Sequence, residues 1–127
     1  MDILINKPIK ISIDTIEIDE HLPSLKLCIS IDFEKNGFEL KTVSVAWFKC
    51  KVLDSFIKNL ELSKLAVFKD MDGNFKLKID TKKKKLYWSS LKEGINGNTF
   101  KSEGNEQIDL DDIDNILNAF KAYPKWW

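Results

Sequence analysis

The chain has 127 residues, with 20 Lys, no Arg, 12 Asp and 8 Glu, so its formal charge is zero. Hydrophobic residues at 43% and charged residues at 31% describe a soluble globular chain that can build one core without staples. Two Cys, one His, no apolar run of about 18 residues and no basic-then-apolar opening argue against a disulfide scaffold, most metal or triad chemistry, a membrane span and a signal peptide.

The first strand signal is Pro8–Ile18, where Ile9, Ile11 and Ile13 alternate with polar residues. Ile16 and Ile18 fall on the opposite parity, which predicts a bulge or a break near Thr15. Glu20-His21-Leu22-Pro23 reads as a connection. In Ser24–Glu34 the residues Leu25, Leu27, Ile29, Ile31 and Phe33 share one face and polar residues the other, as in an antiparallel sheet wet on one side. Asn36-Gly37 predicts a tight hairpin, because both residues tolerate positive φ. The return strand is Phe38–Lys49, with Val43, Val45 and Trp47 alternating. The period then changes to that of a helix: Leu53, Phe56, Ile57 and Leu60 make one stripe over residues 51–62.

Lys64–Lys69 and Asn74–Asp80 read as a second hairpin around Asp72-Gly73, and Leu86–Leu91 as a further strand. Residues 92–107 are polar and contain Gly94, Gly97 and Gly104; they are a loop or one twisted edge strand. The last helix is expected from Leu110 to Ala122, with Leu110, Ile113, Leu117 and Phe120 buried. Asp109 is its N-cap, and Asp111, Asp112 and Asp114 oppose the positive end of the helix dipole. Pro124 follows, and the chain closes on Lys125-Trp126-Trp127.

These elements predict an α+β fold in one domain over residues 1–127. Its antiparallel sheet, curved or sandwich-like, has about six strands, with one middle helix and one C-terminal helix. The expected core is Leu27, Ile29, Ile31, Phe33, Val45, Phe56, Ile57, Leu60, Phe75, Leu77, Leu117 and Phe120.

The zero charge conceals segregation: residues 1–40 carry −4, residues 41–101 carry +8 and residues 102–127 carry −4. The basic middle peaks at Lys82-Lys83-Lys84-Lys85. Lysines attract phosphate backbones, but the planar fork of Arg that reads nucleic acid is missing. The run therefore reads first as a solvated turn, and second as the centre of a module for nucleic acid or another anionic surface. Asp70-Met71-Asp72-Gly73-Asn74 opens like a calcium loop, yet Phe75 and Thr81 occupy the positions that need Gly and a bidentate Glu. No cofactor or metal is expected. His21 has no partner at a recognisable spacing and reads as a surface or capping residue; Cys28 and Cys50 read as reduced structural thiols. No GxGxxG or GxxxxGK[ST] phosphate loop occurs. The terminal Trp126 and Trp127 either anchor the last helix or meet a partner, since Trp is enriched at interface hot spots.

From Leu25 to Leu91 the chain resembles the WapI-like immunity proteins of bacterial toxin–immunity systems. The resemblance rests on VSVAWF (Val43–Phe48), LDSFIKNLE (Leu53–Glu61), LAVFKDMDGNFKLKI (Leu65–Ile79) and LYWSSL (Leu86–Leu91). The family's acid-rich strand before the final helix has no counterpart, because IDLDDIDNIL (Ile108–Leu117) begins the helix at once. The resemblance implies a cytoplasmic protein, not an enzyme, that binds and blocks one cognate protein toxin, such as a nuclease domain with a basic cleft. An acidic surface would suit such a partner and speed its association. The contact surface expected on that basis is Asp111, Asp112 and Asp114 with Trp126 and Trp127, joined by Glu17, Asp19 and Glu20. No membrane is expected as a partner, and the expected state is a monomer or weak dimer.

Overall fold

Alternating residues make the strands and helical stripes make the helices, in an order close to that expected. The structure, a computed structural model, describes residues 2–127. Its strands are β1 (Ile3–Ile5), β2 (Lys10–Asp19), β3 (Ser24–Lys35), β4 (Phe38–Lys49), β5 (Ala66–Lys69), β6 (Phe75–Asp80), β7 (Lys85–Glu93) and β8 (Thr99–Gln107). Its helices are α1 (Cys50–Glu61) and α2 (Leu110–Lys121). The fold is α+β. The strands form two four-stranded antiparallel sheets, ordered β1-β2-β3-β4 and β5-β6-β7-β8.

Eight strands replace the expected six. β1 is only three residues long, paired to β2. β8 resolves the open reading of residues 92–107: it is an edge strand paired along β7. The β2 bulge lies between Thr15 and Glu17, where the register with β3 shifts. The bulge is tied down at Thr15, whose N–H donates to Asp2 Oδ2 at 2.7 Å and whose hydroxyl meets Tyr123 Oη at 2.6 Å.

One hydrophobic cluster takes side chains from both sheets and both helices. Phe68 joins its parts: its ring stacks on Phe48 at 4.5 Å and lies 5.7 Å from Phe56 and 5.5 Å from Phe120. Burying an aromatic side chain contributes roughly 1.5–3 kcal/mol, and paired rings add to that. In α1 the predicted stripe is buried together with Cys50. In α2 the Asp109 carboxylate accepts from Asp112 N–H at 2.7 Å, and Asp112 returns the bond at 3.1 Å, a complete capping box. Ile113, Ile116 and Phe120 are buried there, and Leu117 is half-buried. Leu110, expected inside, is 58% exposed, because at about 100° per residue it lies well off the buried stripe of Ile113, Ile116 and Phe120.

The expected core is correct except at Val45, with Phe33 and Leu117 at its margin. Val45 is 52% exposed, and the cause is register. Asn36 (φ 53°) and Gly37 (φ 81°) make a two-residue turn that pairs Lys35 with Phe38. That pairing sets Ala46 opposite Leu27, Ser44 opposite Ile29 and Thr42 opposite Ile31. The inward face of β4 therefore carries Leu40, Thr42, Ser44, Ala46 and Phe48. Val43, Val45 and Trp47 go to the outer face with Ser30, Cys28 and Lys26, because a one-residue change of parity exchanges the two faces of a strand. The buried Ser44 hydroxyl is satisfied by Ser90 Oγ of β7 at 2.7 Å, a polar link between the sheets.

Candidate functional site: a trough along the free edge of β4

β4 is an edge strand: among the described residues it pairs with β3 alone. In a hairpin closed by two residues, the flanking pair exchanges both backbone hydrogen bonds, and such pairs then alternate with pairs that exchange none. Counting from Lys35 and Phe38, the even residues of β4 bond to β3. Lys41, Val43, Val45 and Trp47 then point their N–H and C=O groups away from the sheet. An independent contact agrees, since the Trp47 carbonyl accepts from Met71 N–H at 2.9 Å, outside the sheet.

Beside this edge runs a groove of about 660 Å³, with Val43–Trp47 on one wall and Asp70, Asn74, Phe75 and Leu91 on the other. A hollow of about 320 Å³ shares Asp70 with the groove and reaches Met71 and Lys49. A third, of about 480 Å³, shares Met71 and Lys49 with the second and is walled by Leu22, Pro23 and Trp127. Together they form a trough past the end of β4. Exposed Val43, Val45, Met71 and Leu22 give it an apolar strip.

Asp70 stands in the middle of the trough and is 3% exposed. Its Oδ1 accepts from Phe75 N–H at 2.9 Å and so closes the β5–β6 turn. Its Oδ2 is buried without a hydrogen-bond partner. The five-residue segment with a superficial likeness to a calcium loop is thus a hairpin turn held by its first aspartate.

Beyond α2 the chain folds back so that Trp127 docks on α1. Trp127 Nε1–H donates to Asp54 Oδ2 at 2.8 Å, and Lys125 Nζ donates to Asp54 Oδ1 at 2.6 Å. Partial burial pushes the Asp54 carboxyl upward, but the bonds from Lys125 and Trp127 outweigh it and hold the group below the ordinary carboxylate range. Burial, with the nearby Asp54 charge, pushes the Cys50 thiol upward; both cysteines are free. Trp126 stands 37% exposed, edge-on to Trp127.

The expected acidic surface divides into two places. Asp112 is engaged in the α2 capping box, with Asp111 and Asp114 exposed near it. That end of α2 lies beside the Lys turn, because Ile108 N–H donates to the Lys84 carbonyl at 3.0 Å. The acids of the C-terminal segment therefore stand next to the peak of the basic segment. Glu17 and Asp19 end β2 and Glu20 follows them; Thr15 of β2 meets Tyr123 just after α2, so these acids lie toward the other end of α2, which is about 18 Å long. There Glu17 pairs with Lys26 at 3.6 Å, and Asp19 accepts from the N–H groups of His21 and Leu22. Only this second group adjoins Trp127, through Leu22 and Pro23 in the shared hollow.

The outer face of the second sheet is the other notable surface. Lys76 and Lys78 of β6 lie beside Tyr87 and, with the ion pair of Lys101 and Glu103 of β8 at 3.2 Å, line a hollow of about 560 Å³. The Lys78 ammonium sits 4.5 Å over the Tyr87 ring. Lys82, Lys83 and Lys84 are exposed in the adjoining turn. Sequence reading found the turn but not this face. Its signal was the alternation of Lys76 and Lys78 with Phe75 and Leu77, together with Tyr87 on the opposed parity to Leu86 and Trp88.

No family model, characterised protein or solved structure matches the chain. Among the described residues no helix is long and apolar enough to cross a membrane, and no group of three or more His, Cys, Asp or Glu side chains could hold a metal.

Proposed function

We propose that the chain is an immunity-type binding protein: it holds a cognate protein toxin and blocks it by occupation, without chemistry of its own. The observation that carries this reading is the trough. An edge strand presents unpaired backbone together with Val43, Val45 and Trp47, beside a built second wall. Exposed apolar side chains gathered on a concave surface and bordered by polar groups are the usual make-up of a protein-docking site. Trp47 and Trp127 supply the residue type most enriched at binding hot spots. The resemblance of Leu25–Leu91 to WapI-like immunity proteins supports the same reading and names the class of partner. The acidic group Glu17, Asp19 and Glu20 would add steering toward a basic toxin surface.

The test is co-expression with a toxin encoded beside the gene. Growth is expected to be restored, and Val45→Glu or Trp47→Ala to abolish the rescue while thermal unfolding stays within a few degrees of the parent. Absence of both rescue and complex would refute the reading. A rescue indifferent to both substitutions would move the contact off the trough.

A second reading is favoured by the Lys face around Tyr87: a module for nucleic acid or another anionic surface. Lysines about an aromatic platform can track a phosphate backbone while a base stacks. It predicts binding to a mixed single-stranded oligonucleotide that falls steeply with salt. No binding at low ionic strength removes it.

A further inference from the structure

We infer that the trough is a strand-addition site: an extended segment of the partner pairs with the free edge of β4 and places a Lys or Arg against Asp70. This rests on the trough being the docking surface and says how the docking is made.

The edge supplies the backbone half of the pairing. Val43 and Val45 each direct an N–H and a C=O into the groove, and from Val43 to Trp47 the edge runs about 14 Å, the length of a five-residue strand. Met71 already begins such pairing by donating its N–H to the Trp47 carbonyl. A segment laid along the edge would extend the first sheet by one strand, a recognised mode of peptide capture.

The opposite wall supplies the selectivity. Asp70 lines the groove with Oδ2 buried and unpartnered. Oδ2 itself has no accessible surface, so an incoming ammonium is drawn to the negative charge of the Asp70 carboxylate in the groove wall rather than by a bond to Oδ2. Alternate side chains of an added strand face one way, so a basic residue flanked at two-residue spacing by apolar ones would set its charge toward Asp70 and its neighbours toward Phe75 and Leu91. The wall also decides between a partner's segment and a second copy of this chain. A groove closed on its far side admits one extended chain, whereas the β4 of a second copy arrives with its own wall attached.

The probe is the peptide acetyl-Thr-Val-Thr-Lys-Thr-Val-Thr-amide, titrated into the full chain and followed by backbone amide NMR and hydrogen exchange. The expected result is perturbation centred on Val43, Val45 and Trp47, with exchange at Val43 and Val45 slowed about tenfold or more. Replacing the central Lys by Glu should weaken binding about tenfold or more, and Asp70→Asn should abolish that preference. N-methylation of the peptide's alternate amides should abolish binding, a control that leaves the protein untouched. Equal binding by the methylated peptide, or perturbation confined to another surface, overturns the inference. So does protection of Val43 and Val45 in the free protein accompanied by a dimer in sedimentation, which would make a second copy the occupant. Toxin rescue is read separately. Rescue without strand pairing discards this inference alone, and strand pairing without rescue discards the toxin alone.

Discussion

Asp70 offers the sharpest test, because one substitution should cost binding while leaving stability nearly unchanged. Its Oδ1 holds the Phe75 N–H at 2.9 Å, its own N–H and carbonyl serve the same turn, and its Oδ2 is buried with no donor. Asp70→Ala removes the bond and leaves the Phe75 N–H without its side-chain acceptor. A buried hydrogen bond to a charged group contributes about 1.5–3 kcal/mol, but removal of the unpaired charge offsets part of that, so the expected loss is about 1–2 kcal/mol. Asp70→Asn keeps an acceptor for Phe75 and replaces the unpartnered oxygen by an unpartnered amide. The charged acceptor for Phe75 becomes a neutral one while the unpartnered oxygen loses its charge, and the two effects oppose, so the free protein should stay within about 1 kcal/mol of the parent. Urea unfolding at neutral pH, followed by tryptophan fluorescence, reads both. The reasoning fails if Asn falls as far as Ala, because Oδ2 would then have a stabilising partner in the free protein. Unchanged stability together with a loss of affinity for the basic strand would mean that the charge of Asp70 is kept for binding rather than for the fold.

Other expectations follow from close contacts. Gly104→Ala would place a Cβ 2.9 Å from the Trp88 ring, which is buried, so it should cost about 1–3 kcal/mol in urea unfolding; Trp88→Phe should recover part of the loss in the double variant. Trp127→Ala removes an indole donor from Asp54, whose side chain is 40% exposed, so the expected loss is only about 1 kcal/mol. Asp54 is depressed in the folded state, so its contribution is present above the ordinary carboxylate value of about 3.9 and is lost as pH falls through the lower folded value. The Trp127 indole N–H resonance should therefore move only in that acid range, and movement near neutral pH would contradict the assignment. The triple change of Lys76, Lys78 and Lys101 to Glu should abolish any oligonucleotide binding and leave toxin rescue intact; loss of rescue would implicate the second sheet in docking.

Elements with strong local signals were legible in the sequence. The alternation of β3, the Asn36-Gly37 turn, the α1 stripe and the Asp109 cap are each set by neighbours within one element, and each matches the structure. β1 escaped because three residues cannot display a period. β8 was left open because its inward positions are Ser102, Gly104 and Glu106, which carry no apolar alternation. It is a strand through pairing with β7, with the bare Gly104 beneath Trp88 and Glu106 joined to Lys35 at 3.0 Å. The acids and tryptophans were visible as unusual residues, but their grouping was not. Charge counted along the chain does not say that the segment leading into α2 meets the Lys turn at Lys84. The trough was invisible for the same reason: its walls come from residues 43–47, 70–75 and 91, and only the fold brings them together.

The misjudged face of β4 and the candidate site are one feature. Local pattern favours Val43, Val45 and Trp47 as the buried side of the strand, because they are larger and more apolar than Thr42, Ser44 and Ala46. Register decides otherwise: the tight turn and the strong apolar face of β3 leave no freedom to slip by one residue. A chain selected only for stability would place its valines inside, where each would contribute roughly 1.5–3 kcal/mol, and its serine and threonine outside. Here the small polar residues are inside, with Thr42 Oγ1 left unpartnered. The apolar ones face solvent along the one edge of the sheet that borders a groove. Departures from local consistency concentrate where a protein does its work. The conflict between pattern and register in β4 and its outward-pointing backbone follow from one register, and the orphaned oxygen of Asp70, on another element, points independently to the same groove.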